Sequence, residues 1–227
     1  PKKLSLRYAF PSLWEMEQEF GSIIKGMKAK KTGAKPIFTL KGGMATWVKK
    51  LAEHVPHRCQ AEVLGIEKNE DCWQVNTDSE SLSCKQLIST IPLESWNLLA
   101  PEFALPTLRR PPLRIEFWQG KTQQWKYPGF GCLVPEKTPR NYLGVLFNHQ
   151  LFPQQAPGIM TVFVGGDRQA EVLQGEQVWH AELKKDFGLD DSWKVIHQVD
   201  YPMAIPQYEH QAMEKLLGAI EALESKE

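Results

Sequence analysis

The apolar positions near the start of the chain recur with a helical period. Over residues 11–27, large apolar side chains stand three or four positions apart, and Pro11 occupies a position where helices often begin. Gly21 interrupts this stretch, so the pattern predicts an amphipathic helix that is broken near that glycine. After it, the pattern predicts a strand-turn-helix unit made of a strand at 37–40, a tight turn at Gly42-Gly43 and a helix at 44–55.

Short apolar or alternating runs separated by polar turns dominate the rest of the chain. They predict strands at 59–67, Cys72–Thr77, 82–91, Leu113–Gln119, 131–134, 143–147, 160–164 and 193–199, and helices at Leu93–Leu99, 175–187 and 209–224. The strands come in clusters, and helices separate only some of them. The pattern therefore predicts an α+β fold with a mixed, largely antiparallel β-sheet and flanking helices, not a repeating βαβ series.

Composition narrows the classes of function. A chain of 227 residues with 42% hydrophobic side chains can bury one sizeable core or two small ones. Lys plus Arg equal Asp plus Glu at 27 each, so no overall field attracts nucleic acid, and we expect no nucleic-acid partner. The four cysteines show no CxxC spacing, which favours a reducing cytoplasm over a disulfide scaffold.

No apolar run approaches the ~20 residues that a membrane span needs. Because the chain starts without methionine and ends in a charged helix, we expect that both ends were cut.

Motifs of hydrolysis and metal binding are missing from the sequence. It has no GxSxG, no HExxH and no P-loop, and no catalytic residue can be singled out. His54, His57 and Cys59 lie close together, but the proline between the histidines ends the predicted helix, so we expect no metal site. The lysines between positions 25 and 35 could contact phosphate, yet such a run is typical of an exposed loop. The absence of a recognisable acid-base motif is compatible with cofactor chemistry in a mostly apolar cavity.

Four short motifs follow one another over residues 4–208. They are LSLR with FP, Glu17, FGS and Gly26 after it (4–26), FTLKGGM (38–44), GFGCLVP with LG, LFP and VGG after it (129–166), and AIPQY (204–208). In this order and spacing the chain resembles protoporphyrinogen oxidases, within the amine-oxidase-like flavoproteins. The resemblance covers nearly the whole chain, so one motif shared with an unrelated fold does not explain it.

The resemblance implies a division by role. Enzymes of this kind combine a Rossmann-like FAD-binding region, a substrate-binding mixed sheet and helices that dock on a membrane surface. Residues 1–35 would end the helical region, and residues 36–227 would form the substrate-binding domain with part of the FAD-facing region. No GxGxxG occurs in the chain, so by itself it should not hold FAD tightly. The family follows PQY with a Gly-His pair. Here Glu209 and His210 follow instead, so either the loop has diverged or His210 is shifted in register.

The resemblance also identifies substrate-binding residues. Phe130, Gly131 and Leu133 match positions that line the porphyrinogen cavity, and Phe163 matches an apolar position near flavin and substrate. A tetrapyrrole presents wide apolar faces, against which rings can stack and a glycine allows close approach of the backbone. On strand pattern alone, the two phenylalanines would be read as alternating core residues.

One cofactor-binding residue is implied as well. Val63 matches a strand position whose backbone meets the adenine side of FAD, and Glu62 is the alternative within a one-residue ambiguity.

For the intact parent protein, the resemblance implies a FAD-dependent oxidase that converts protoporphyrinogen or coproporphyrinogen to the porphyrin in heme biosynthesis. Hydride would pass to FAD, which oxygen or another acceptor would reoxidise. Two alternatives stay open. One is another amine-oxidase-like flavoprotein, such as a carotenoid desaturase or an amine oxidase, and the other is a non-catalytic module that binds a tetrapyrrole or a partner. We expect a cytoplasmic location, with peripheral membrane contact through the helix at 11–27.

Overall fold

The computed structural model describes residues 3–30, 37–69, 71–123 and 125–224. The chain divides into two compact units. The first unit comprises Pro1–Lys35, Leu51–Arg109 and Gln207–Glu227, and the second comprises Pro36–Lys50 and Arg110–Pro206. These units are defined by compactness, so the division by role at residue 35 stays a prediction.

Helices and strands alternate irregularly along the described residues. The helices are α1 (Leu6–Ala9), α2 (Pro11–Phe20), α3 (Ile23–Ala29), α4 (Ala45–Ala52), α5 (Leu93–Leu99), α6 (Asn148–Leu151), α7 (Trp179–Phe187) and α8 (His210–Glu224). The strands are β1 (Val63–Asn69), β2 (Cys72–Thr77), β3 (Ser81–Cys84), β4 (Leu113–Gln119), β5 (Gly131–Leu133), β6 (Gly144–Leu146), β7 (Ile159–Gly165) and β8 (Lys194–Tyr201). None of the helices in the described residues is long and apolar enough to cross a membrane.

The predicted break in the first amphipathic helix is confirmed. Gly21 takes a left-handed conformation with φ 63° and ends α2, a position that glycine occupies without steric cost. The Ser22 hydroxyl then accepts a hydrogen bond from the Lys25 amide at 3.4 Å, which caps α3. The predicted loop with the lysines between positions 25 and 35 is described only up to residue 30, because residues 31–36 lie outside the described residues.

The first unit contains a three-stranded antiparallel meander in the order β1-β2-β3. The meander is confirmed, but β1 begins four residues later than the pattern predicted, and β3 ends at Cys84, seven residues before its predicted end. Gln60 has φ 58°, so the chain is bent just before the strand and cannot extend it.

One predicted strand is wrong. Residues 37–40 form no strand, although the turn after them is present, with positive φ at both Gly42 and Gly43 and a hydrogen bond from the Gly43 amide to the Leu40 carbonyl at 2.8 Å. Ile37 and Phe38 are exposed, and no strand among the described residues pairs with this apolar run.

The second unit is built on a five-stranded sheet in the order β5-β6-β7-β4-β8, whose neighbouring strands pair antiparallel. Its core joins strand residues such as Val145, Met160 and Val162 to Trp179 and Leu183 of α7. The α+β class with largely antiparallel sheets is therefore confirmed, with the strands divided between two sheets.

Candidate functional site

The strand register assigns side chains to the two faces of the five-stranded sheet. Residues directly opposite each other on antiparallel strands share a face, and alternate residues along a strand point to opposite faces. One face carries Gly131, Leu133, Gly144, Leu146, Phe163 and Ile115, and we name it the apolar face. The other carries Val145, Met160, Val162, Val164, Glu116 and Trp118 and packs against α7, so we name it the helix-covered face.

Two glycine–leucine pairs lie next to each other on the apolar face. Gly131 stands opposite Leu146, and Leu133 stands opposite Gly144. A Cβ atom added to Gly131 would lie 3.2 Å from Leu146 Cδ2, and one added to Gly144 would lie 3.2 Å from Leu133 Cδ2. Each leucine therefore lies over the glycine of the neighbouring strand, and the two together form a low apolar platform.

The platform continues into the next strand through Phe163, which pairs with Gly144 on one side and with Ile115 on the other. Leu133 and Phe163 are two strands apart, roughly 10 Å between their backbones. Leu133 is 87% exposed, although Gly144 and Val145 of the paired strand β6 are buried. An exposed apolar surface on a sheet is typical of a binding site.

Three of the four predicted substrate-binding residues thus share one surface. Gly131, Leu133 and Phe163 lie together on the apolar face, whereas Phe130 directly precedes β5 and is 56% exposed. The Phe130 carbonyl accepts a hydrogen bond from the Phe147 amide at 2.7 Å, which fixes the backbone there. Leu146 also belongs to this surface and was not predicted. Its alternation within 143–147 was visible in the sequence, but only the pairing with Gly131 places it beside Leu133.

Few polar groups accompany the apolar face. The buried Thr161 hydroxyl donates to Asn148 Oδ1 at 2.8 Å, and the ring of His197 lies 5.8 Å from that of Phe117 on the paired strand. A mostly apolar surface with a small number of placed polar groups suits a flat organic ligand.

The helix-covered face holds a fully buried carboxylate, Glu116. Its Oε2 accepts hydrogen bonds from Trp118 Nε1 at 2.9 Å and Trp179 Nε1 at 3.1 Å, and it lies 3.0 Å from His180 Nε2. Burial acts to raise the pKa of Glu116, but the hydrogen bonds from His180, Trp118 and Trp179 together lower it below its ordinary value. Glu116 was not predicted, because an acid within an alternating strand normally faces solvent. It points away from the apolar face.

Val63, the predicted cofactor residue, begins β1 in the first unit. It pairs with Thr77, and the register shifts between Val63 and Gly65, so this end of the strand contains a bulge. The carbonyl of the alternative residue, Glu62, accepts a hydrogen bond from the Asp78 amide at 3.0 Å. Bulges are common beside binding sites, but contact of Val63 with FAD stays a prediction.

The described residues do not fit the diphosphate of FAD. A dinucleotide site places a glycine-rich turn between a strand and the N-terminus of a helix. Here β1 is followed along the chain by another strand, β2, and not by a helix, and the sequence contains no GxGxxG. This part of the first unit therefore lacks the glycine-rich turn that would bind the diphosphate.

The segment at 204–210, where the family motif diverges, contacts residues near the start of the chain and in α8. The Ser5 amide donates to the Tyr208 carbonyl at 2.8 Å, and His210 stacks on Tyr8 with ring centroids 6.1 Å apart. His210 Nε2 also lies 3.2 Å from Glu214 Oε1, one turn along α8. The His210 ring is thus occupied by neighbours within the first unit.

Sequence comparison relates the chain to named enzymes. It is 26% identical to mitochondrial protoporphyrinogen oxidase of Nicotiana tabacum, with 99% of this chain and 55% of that protein covered. It is also 26% identical to protoporphyrinogen oxidase 2, chloroplastic/mitochondrial, of Arabidopsis thaliana, with 99% and 54% covered. The chain thus spans about half the length of these relatives.

Solved structures share the fold. A crystal structure from Exiguobacterium sp. 255-15, assigned as a protoporphyrinogen oxidase, matches with a TM-score of 0.70 and 18% identity over 96% of this chain and 52% of that one. A fatty acid isomerase from P. acnes matches with a TM-score of 0.57 and 14% identity over 92% of this chain and 49% of that one. At these identities the matches establish the fold alone, and one fold can serve several reactions.

A sequence model of a whole protein family also matches the chain. The model described as "Flavin containing amine oxidoreductase" matches residues 1–185, well over half of the sequence. The chain belongs to the flavin-containing amine oxidoreductase family.

Proposed function

We propose that this chain forms the substrate wall of a FAD-dependent oxidase that converts a porphyrinogen to the porphyrin in heme biosynthesis. The observation that carries the proposal is the apolar face, where Gly131, Leu133 and Phe163 lie together with Leu146. The names of the sequence relatives support the choice of substrate.

The chemistry of the apolar face suits a tetrapyrrole. Leucine side chains and a phenylalanine ring can pack against a wide apolar macrocycle, and burial of such surface drives binding without directional polar groups. Gly144 and Gly131 keep the platform low, because neither adds a side chain between the leucines. In this proposal the chain binds and orients the substrate and excludes water, while the flavin region of the intact enzyme supplies the electron acceptor.

Steady-state kinetics of the intact flavoenzyme test the proposal. Phe163→Ala should lower kcat/KM for protoporphyrinogen by about tenfold or more, as expected when a large apolar contact with the substrate is removed. The flavin absorbance should stay unchanged. Val178→Ala serves as the control, since Val178 is an exposed apolar residue next to α7. Wild-type kinetics in the Phe163 variant would contradict the proposal.

Peripheral membrane contact is part of the same proposal. Phe10, Ile24 and Met27 are exposed on and beside α2 and α3, with Lys25 and Lys28 nearby. Apolar and basic side chains together favour an anionic lipid surface. The chain should float with anionic vesicles, and Ile24→Glu should reduce the floating fraction. Equal flotation of both proteins, or none with the wild type, would contradict this contact.

We also propose a cytoplasmic location. Cys59, Cys72, Cys84 and Cys132 are all free thiols, which is expected in a reducing compartment. Fractionation of cells that express the tagged protein tests this location, and recovery in an oxidising compartment would contradict it.

A further inference from the structure

Two carboxylates of α7 bind the loop that joins β5 to β6. Glu182 accepts from the Asn141 amide at 2.8 Å and from Asn141 Nδ2 at 2.7 Å, so both of its oxygens are used. Asp186 accepts from Arg140 Nη2 at 2.6 Å, from Arg140 Nε, and from the Tyr142 hydroxyl at 2.8 Å. Three consecutive loop residues are thereby bound to one helix.

The helix itself is fixed to the sheet. Glu182 and Asp186 are four residues apart and so lie on the same side of α7. Leu183, next to Glu182, is fully buried in the core of the second unit, so α7 cannot shift without opening that core. Hydrogen bonding from Arg140 holds the pKa of Asp186 below its usual range, so this carboxylate is ionised at neutral pH. The pKa of Tyr142 is raised by burial and by the bond to Asp186, so the phenol keeps its proton to donate.

The β5 strand depends on such support. It is an edge strand of three residues that forms three pairs with β6, and one hydrogen bond continues the ladder at each end, from the Phe147 amide to the Phe130 carbonyl and from the Val134 amide to the Leu143 carbonyl. Short edge strands specify their register weakly, and a slip of one residue turns every side chain to the opposite face. A slip of β5 would remove Leu133 from the apolar face and place Cys132 there.

We propose that Glu182 and Asp186 are positioning residues for the ligand. From the helix-covered side they fix the register of the β5–β6 hairpin, and so they hold Gly131 and Leu133 on the apolar face. This proposal rests on the proposed function, because only a ligand on the apolar face makes that register important for binding.

Porphyrin binding and hydrogen exchange test the proposal together. Asp186→Asn removes the charge that Arg140 and Tyr142 bind, and its matched control is Asp191→Asn. Asp191 is fully exposed, lies after the end of α7 and pairs with Lys184 of that helix at 3.1 Å. Protoporphyrin IX, titrated against the chain by fluorescence, should bind about tenfold more weakly to Asp186→Asn. Binding to Asp191→Asn should stay within about twofold of wild type, as for an exposed pair.

Hydrogen exchange reports on the hairpin directly. The Val134 amide, which donates to the Leu143 carbonyl at 2.8 Å, should exchange about tenfold faster in Asp186→Asn. Amides that join β4 to β7 should keep their wild-type rates, so the effect is local. If Asp186→Asn does not fold, Glu182→Gln tests the second carboxylate with a side chain of the same shape.

The outcomes separate this proposal from the proposed function. If Leu133→Ala weakens porphyrin binding while the Asp186 and Glu182 variants bind normally with unchanged hairpin exchange, the positioning role is overturned and the proposed function stands. If the wild-type chain binds no porphyrin, the proposed function fails and the positioning of the ligand fails with it, while the exchange of the Val134 amide still shows whether the two carboxylates fix the hairpin.

Discussion

The two faces of the five-stranded sheet differ sharply, although the same strands build both. The helix-covered face is closed by α7, and even its buried carboxylate, Glu116, has three hydrogen-bond partners. The apolar face carries leucines over glycines, and Leu133 remains 87% exposed. The first face has the properties of a core, and the second those of a surface that binds a ligand. Removal of a side chain should therefore lower stability on the first face and weaken binding on the second.

The largest expected effect on stability lies at Trp179. This side chain is fully buried and donates to Glu116 at 3.1 Å. Trp179→Ala should lower the free energy of unfolding by about 3–5 kcal/mol, because it leaves a cavity. Leu133→Ala on the apolar face should change it by less than about 0.5 kcal/mol, as for an exposed site. Urea unfolding of both variants measures the contrast, and equal losses would contradict the distinction between the faces.

Glu116 gives the next largest effect. Glu116→Gln keeps the shape of the side chain but turns an N–H group toward donors, so we expect a loss of about 3 kcal/mol. Glu176→Gln, an exposed change just before α7, should have almost no effect. Urea unfolding at neutral pH compares the two variants, and a Glu116→Gln variant as stable as wild type would show that the carboxylate is not needed.

The pH dependence sharpens the same comparison. The pKa of Glu116 is lowered in the folded state, so its ionised form contributes stability above the ordinary value of 4.5. That contribution is lost as the pH falls through the lowered pKa. As the pH falls below the ordinary value of 4.5, the wild type should therefore lose more stability than Glu116→Gln does. Parallel pH profiles would argue against a lowered pKa.

A smaller effect is expected at Gly131. A Cβ atom there would lie 2.3 Å from the Val145 carbonyl oxygen, so β5 must shift away from β6. Gly131→Ala should cost about 1–3 kcal/mol, as for overpacking, and should weaken porphyrin binding. Gly175→Ala is the control, because the nearest atom to its added Cβ is 3.9 Å away. Porphyrin binding by Gly131→Ala that equals that of the control would remove Gly131 from the site.

Much of the fold follows from local sequence pattern. The bounds of β2, β4 and α5 were predicted to the residue, because apolar alternation and flanking prolines or turns define them. The strand predicted at 37–40 is wrong for a nonlocal reason, since an apolar run forms a strand only where a partner strand exists. The pairing order of the five-stranded sheet likewise depends on contacts between residues far apart in the chain.

The candidate site was predictable only in part. The resemblance supplied Gly131, Leu133 and Phe163, and the register then brought them together. Leu146 and the contacts of Asp186 were not predictable, because they depend on how β6 and α7 pack rather than on spacing along the chain.

Methyl NMR of leucine-labelled protein titrated with protoporphyrin IX tests the central claim most directly. The porphyrin ring current should shift the methyl resonances of Leu133 and Leu146 on the apolar face. It should leave unchanged the methyl resonances of Leu183, which belongs to α7 and is buried against the helix-covered face. Shifts confined to Leu183, or no shifts at Leu133 and Leu146 when the porphyrin is bound, would contradict the account.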